Sequence, residues 1–288
     1  MKPNKSNFAV FILTHGRPEK VITYNTLKKC GYTGKIYFIV DNEDDTVPEY
    51  IDKFGKENVI IFDKDLIEKE FDTADTFKGR AAIFYARNAS WKIAKELGLD
   101  YYCQLDDDYT DFLYRFDDNG VMSSRMVRSV DKVIKASLDL LEDTGAVCIA
   151  WSQGGDYIGG EFSALWKSQV RRKAMNSMFF RVDRPVEFLG KINEDVSTYV
   201  VHGSRGNLFL TVAGVQLNQV QTQKSSGGMT EYYKDSGTYV KSFYSIIMAP
   251  SCVKISTMGR TDRRFHHLIK WNNAVPKIIS ERYKKAIT

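Results

Sequence analysis

Short apolar runs alternate with amphipathic stretches along the first two thirds of the chain. Phe8 to Leu13, Lys35 to Val40 and Asn58 to Phe62 have strand length and end at polar residues, the pattern of strands buried on both sides. Between the first two, a helix is expected to open at Pro18 or Glu19, because proline suits a first helical turn. From Arg80 to Gly98, Ile83, Ala86, Ile93, Ala94 and Leu97 recur at helical spacing and Gly98 supplies a stop. Tyr101 to Leu105 reads as the next strand. Met126, Val130, Val133, Ile134, Leu138 and Leu141 trace a helical stripe, Ala146 to Trp151 returns as a strand, and Ser177 to Val182 is a further apolar run. This alternation predicts an α/β fold on a parallel sheet. Gly154 to Gly160 has the spacing of neither a dinucleotide fingerprint nor a Walker loop, so a mobile loop is expected there. Residues 161–175 are basic and poorly periodic.

The strands stop at chemistry-bearing residues. The first runs into Thr14-His15-Gly16-Arg17-Pro18, the second into Asp41-Asn42, the third into Asp63, and the fourth into Asp106-Asp107-Asp108. Ligands of open parallel sheets gather beyond the carboxyl ends of the strands. Thr14, Arg17, Asp41 and the three aspartates should therefore share one crevice. Three adjacent carboxylates need neutralising, and carboxylate oxygens suit Mg²⁺ or Mn²⁺ bridging to substrate phosphates; a solvated acidic turn or a helix cap is the alternative. A second constellation, Asn193-Glu194-Asp195, precedes the apolar segment Val196 to Val201. Such a carboxylate can take a proton from an attacking hydroxyl, or the pair can simply complement a helix dipole.

Ala86-Arg87-Asn88 in a helix, followed by a hydrophobic strand and an Asp-rich strand end, resembles the nucleotide-sugar domain of GT-A glycosyltransferases, especially the family 2 type, over roughly residues 8–200. The resemblance implies a Rossmann-like α/β sheet with helices on both faces and a nucleoside-diphosphate sugar, UDP-sugar foremost, as donor. It implies Mn²⁺ or Mg²⁺ held by Asp106 and Asp108, with a late histidine such as His266 as a further ligand, His202 and His267 being the others on offer. Donor contacts would come from Thr14, Arg17, Asp41, Arg87, Asp106 and Asp107. Asp195 would be the base, Glu194 its supporting or acceptor-binding neighbour, and the reaction inverting. Each donor residue has a plain alternative: Asp41 as an Asx turn, Thr14 as a cap, Arg17 as a surface charge, Arg87 as a helix-face ion pair. The segment Gly227 to Tyr244 interleaves aromatics and lysines, a mixture that suits phosphates and exposed bases. It resembles phage glycosyltransferases encoded beside TET/JBP-type dioxygenases, which glycosylate hydroxymethylated pyrimidines in DNA, and so implies a DNA acceptor.

Bulk properties fit an enzyme. With 288 residues and 43% hydrophobic content, the chain can bury a large core. No run approaches a membrane span and the start lacks the apolar core of a signal peptide, so no membrane partner and a cytoplasmic location, in a host cell if phage-encoded, are expected. Cys30, Cys103, Cys148 and Cys252 are widely spaced and read as reduced core residues. The net charge of +5 is uneven: Lys224 to Thr288 holds twelve Lys/Arg against four Asp/Glu, so polyanions are plausible partners. Arg171, Arg172, Lys173, Lys224, Lys241, Arg260, Arg263 and Arg264 are the candidates to grip a DNA backbone. The expected organisation is a core at residues 1–215 and a basic extension at 216–288 on the acceptor side. Two competitors are a sugar-phosphate nucleotidylyltransferase, whose glycine-rich, Arg-containing N-terminal loop is missing here, and a non-catalytic nucleic-acid-binding protein, which would need no metal cluster.

Overall fold

The computed structural model describes residues 4–5, 7–73, 80, 83–220, 240–258 and 264–275, the side chains of Met258 and Arg264 excepted. The apolar runs become β1 (Phe8–Leu13), β2 (Lys35–Asp41), β3 (Val59–Phe62) and β4 (Tyr101–Asp106), parallel neighbours in the order β3-β2-β1-β4. Register sets Leu13 beside Asp106 and Asp41 beside Phe62, so these strands stop along one edge.

Past β4 the sheet is mixed. Antiparallel β9 (Ser177–Arg181) separates β4 from β7 (Cys148–Gln153), and β10 (Phe209–Gln219) runs parallel to β7. The hairpin β5 (Tyr109–Asp118) and β6 (Val121–Met126) closes the far side antiparallel to β10, which also pairs with β8 (Val170–Arg171). The expected parallel sheet is thus correct for one half only. The hairpin was illegible because its positions are mostly half-buried or exposed, which erases the apolar run. Met126 belongs to β6, and the helical stripe starts at Val130. β10 continues to Gln219, so a boundary at residue 215 falls inside a strand.

The helices are α1 (Ile22–Lys29), α2 (Val47–Phe54), α3 (Lys64–Glu70), α4 (Phe84–Glu96), α5 (Val130–Thr144), α6 (Ala164–Ser168), α7 (Glu194–Ser204), α8 (Val240–Met248) and α9 (Trp271–Ala274). Alternate residues of β1 and β4 point to opposite faces. Val10, Ile12, Cys103 and Leu105 pack with α1, α2 and α5, whereas Phe11, Leu13 and Tyr102 pack with α3, α4 and α7. Helices on both faces are as expected. Pro18 opens a short 3₁₀ turn, and α1 follows at Ile22. The glycine-rich stretch is no free loop: it forms two 3₁₀ turns pinned by buried Tyr157, whose hydroxyl donates to the Ala213 carbonyl at 2.5 Å.

After β10, α8 and α9 lie against α7, and the hairpin β11 (Val253–Met258) and β12 (Arg264–Ile269) packs on α8. Ala249, Cys252, Val253 and Ala274 share one hydrophobic cluster with Val196, Tyr199 and Val200, and the Tyr199 ring stacks on Trp271. All four cysteines are buried and free, as expected. Among the described residues, no helix is long and apolar enough to cross a membrane.

Candidate active site

β4 carries Asp106 to the sheet edge, and the start of α1 fixes the backbone beyond it. Thr23 Oγ1 donates to the Asp106 carbonyl at 2.6 Å, Thr23 N–H to the Asp107 carbonyl at 3.0 Å, and Tyr109 N–H to Thr23 Oγ1 at 2.9 Å. The three aspartates then part company. Asp107 turns inward, fully buried, and accepts Arg17 Nε and Nη2 at 2.7 Å each and the Thr14 hydroxyl at 2.6 Å. Such a bidentate pair is geometrically demanding and strong. Thr14, Arg17 and Asp107, all expected at the donor, are therefore spent on one another. Asp106 and Asp108 stay at the rim. Asp106 Oδ1 accepts a bond from Arg87 Nη2 at 3.1 Å, and Asp108 Oδ1 is buried with no partner among the described residues. Burial pushes the Asp106 carboxyl up to about 7, against Arg87 and with help from Asp108 and Asp107; burial and then the charge of Asp107 push Asp108 up to about 6. This pair is short of positive charge.

At the end of β2 the balance is reversed. Asp41 accepts from Lys64 Nζ at 2.7 Å and from Glu43 N–H at 3.2 Å, and lies 2.7 Å from His15 Nδ1. Burial opposes ionisation, but hydrogen bonds from His15 and Lys64 hold the Asp41 carboxyl down to about 2. Asp44 fastens the same turn, accepting Gly16 N–H at 2.6 Å; Gly16 sits at φ 66°, where a side chain would be strained. The expected donor contact of Asp41 is thus engaged within the protein, and the group it presents outward is half-exposed His15, whose pKa is raised by its hydrogen bond to Asp41. The sequence reading missed Lys64, since a buried lysine just after a helix-capping Asp63 gives no periodic signal.

Arg87 joins the two constellations. Buried in α4, it donates from Nε to Glu194 Oε1 at 3.0 Å and from Nη2 to Asp106 Oδ1 at 3.1 Å, while its backbone carbonyl accepts Gln104 Nε2 at 2.9 Å. Its Nη1 has no partner among the described residues. Expected to reach donor phosphate or base, Arg87 is instead an ion pair between carboxylates. It brings Asp106 and Glu194 to one wall although they lie far apart in sequence. Asn193, at φ 59° and ψ 36°, turns the chain into α7, whose first residues are Glu194 and Asp195. Burial and then Asp195 raise the Glu194 carboxyl to about 7 despite Arg87. Asp195 is buried and its Oδ1 accepts Val196 N–H at 2.7 Å.

Of the expected metal ligands, Asp106 and Asp108 share the rim. His266 lies in β12 with its ring against His267, centroids 4.2 Å apart. Among the described residues no group of three or more His, Cys, Asp or Glu is placed to hold a metal, so His266 does not complete a three-ligand set with the aspartates. Two carboxylates, one with an orphaned buried oxygen, fit an ion that takes its other ligands from phosphates and water. The basic triplet is divided. Lys173 is ion-paired with Asp156. Arg172 is exposed and lines a cavity of about 270 Å³ with Tyr199, Gly203 and Phe209, beside the later turns of α7. Arg171 is half-buried in β8, and Lys241 lies in α8. Lys224, Arg260 and Arg263 lie outside the described residues, as does the side chain of Arg264.

No curated protein matches the chain. Among solved structures, S. aureus TarS 1–349 is similar at 12% identity, over 83% of this chain and 65% of that one, with a TM-score of 0.43; this chain thus spans just under two thirds of that length. Glucosyl-3-phosphoglycerate synthase from Mycobacterium tuberculosis, in complex with Mn²⁺ and UDP-glucose, is similar at 9% identity, over 91% and 86%, with a TM-score of 0.49. A family model described as TET-Associated Glycosyltransferase matches residues 8–228. That match takes in β1 to β10 and both carboxylate constellations, and the chain belongs to the TET-associated glycosyltransferase family.

Proposed function

We propose that this glycosyltransferase moves a sugar from a nucleoside-diphosphate donor, UDP-sugar foremost, to the hydroxyl of a 5-hydroxymethylpyrimidine in DNA. The observation that carries the reading is the Arg87 fork, which sets Asp106 and Glu194 on one wall. A leaving-group site and a proton-accepting site must be this close for one displacement. Asp106 and Asp108 would hold Mn²⁺ or Mg²⁺, which when bound neutralises charge developing on the departing diphosphate.

The chain's own residues do the rest. The closed unit Asp107–Arg17–Thr14 keeps the Asp106 to Asp108 backbone rigid, and half-exposed His15 faces the donor side. Asp195 accepts the proton of the attacking hydroxyl as its oxygen bonds to the anomeric carbon and the bond to diphosphate breaks; this single displacement inverts that centre. Glu194 is anchored by Arg87 and keeps the first turn of α7 in place. The acceptor base would be flipped out of the duplex to bring its hydroxymethyl group to the sugar. A polyanionic acceptor would meet exposed Arg172 and half-buried Arg171 and Lys241.

The test is transfer itself: protein, Mn²⁺ or Mg²⁺, a panel of UDP-sugars, and DNA containing hydroxymethylcytosine or hydroxymethyluracil, read by mass spectrometry of digested nucleosides. Sugar-shifted nucleosides, lost with EDTA and with Asp195→Asn, are expected. Metal-dependent donor hydrolysis with no shifted nucleoside would move the acceptor elsewhere.

A further inference from the structure

We propose that Asn193 is a positioning residue, a latch through which α8 and the β11–β12 hairpin hold the Glu194–Asp195 pair in place. The proposal rests on the role assigned above to that pair. Asn193 is one of few non-glycine residues at positive φ among the described residues. Asparagine tolerates this region better than most residues, yet glycine enters it at no steric cost. An asparagine here therefore suggests that the side chain is used. Its amide nitrogen donates to Ser245 Oγ, wholly buried in α8, and approaches His267 Nδ1 of β12 at 3.5 Å. Its carbonyl accepts Ser197 N–H at 3.1 Å, the first bond of α7. One residue thus ties the start of α7 to two C-terminal elements. The next residue, Glu194, is bonded to Arg87, and Arg87 to Asp106. The chain of contacts runs from the C-terminal layer to the leaving-group side of the site.

The contact with His267 requires a neutral ring whose Nδ1 is an acceptor. The side chain, and not the helix terminus alone, is what the latch needs.

Asn193→Gly keeps the left-handed backbone and removes the amide, and Ser245→Ala removes the same contact without glycine's added backbone freedom. Expected for Asn193→Gly are a melting temperature close to wild type, faster hydrogen–deuterium exchange in peptides covering residues 194–204, and kcat lower by about 10- to 100-fold with an unchanged KM for the donor, as a small misplacement of a reacting group can produce. Ser245→Ala should move exchange and kcat the same way. Unchanged exchange over α7, or wild-type kcat, in Asn193→Gly overturns the latch. If the wild-type protein transfers no sugar while exchange still responds to Asn193→Gly, the latch stands and the transfer reading falls.

Discussion

Two groups of carboxylates sit along the same sheet edge, and their surroundings are opposite. Asp41 and Asp107 are matched within the protein, the first by Lys64 and His15, the second by both arms of Arg17 and the Thr14 hydroxyl. Among the described residues Asp106 and Asp108 have only the hydrogen bond from Arg87 Nη2 between them, with one oxygen orphaned, and their carboxyls are pushed up. A buried charge without a partner is costly. A fold that pays this cost beside residues it neutralises fully is what the proposed cation and anionic substrate would require at one place. The difference separates acids that build the edge from acids that use it.

Substitution is the sharpest way to break that comparison. Asp108→Asn should lower transfer by about 10²- to 10³-fold, the scale of losing one strong electrostatic contact in a transition state. The same change should leave the metal-free protein as stable or more stable, by on the order of 1 kcal/mol once solvent at the rim is allowed for, because it removes an uncompensated charge. Asp107→Ala should do the reverse in stability, costing about 3 kcal/mol, at the low end for a broken buried pair since the Arg17 side chain is still 32% exposed and can swing to water. Thermal unfolding of the two variants side by side checks both signs. Equal destabilisation by Asp108→Asn would erase the distinction between the groups.

The strand ends and their acids were legible because a strand buried on both faces is a nearly continuous apolar run, and its stop is abrupt. Glu194-Asp195 was legible as a pair, and so was its place before an apolar helix. What the sequence could not show was pairing. Nothing along the chain says that Arg87 faces Asp106 and Glu194, that Arg17 closes on Asp107, or that Lys64 is buried under Asp41, since these contacts bridge 19 to 107 positions or hide behind a surface-type residue. The β5–β6 hairpin was lost for another reason: with half-buried and exposed positions mixed along it, its alternation is too weak to read.

A divalent cation should sharpen the comparison. Saturating Mn²⁺, at about 100 times its dissociation constant, should stabilise the wild-type protein by about 2.7 kcal/mol and Asp108→Asn by far less. The increment should be greatest near about pH 8 and shrink as pH falls through the raised Asp106 and Asp108 values of about 7 and 6, where protons compete for the same oxygens. Without metal the trend is opposite in sign. A carboxyl whose folded value is raised binds its proton more tightly in the folded state, so this part of stability grows as pH falls from about 7 towards the unfolded value near 4. Differential scanning fluorimetry across pH, with Mn²⁺ and with EDTA, reads both slopes; parallel curves would show that metal and proton do not share a site.

Asp41 gives the smallest effect and the opposite pH window. Its folded value, about 2, lies below the ordinary aspartate value of 3.8, so its contribution is complete above about pH 4 and is lost as pH falls to about 2. The size is roughly 1–2 kcal/mol, discounted because the His15 side of the contact borders solvent. His15→Ala removes one of the two partners and leaves Lys64, so acid unfolding of that variant should begin at a higher pH than wild type, by a few tenths of a unit. A coincident acid transition would mean that Lys64 alone neutralises Asp41, which would leave His15 bound to the edge without supporting it and free to serve the donor side.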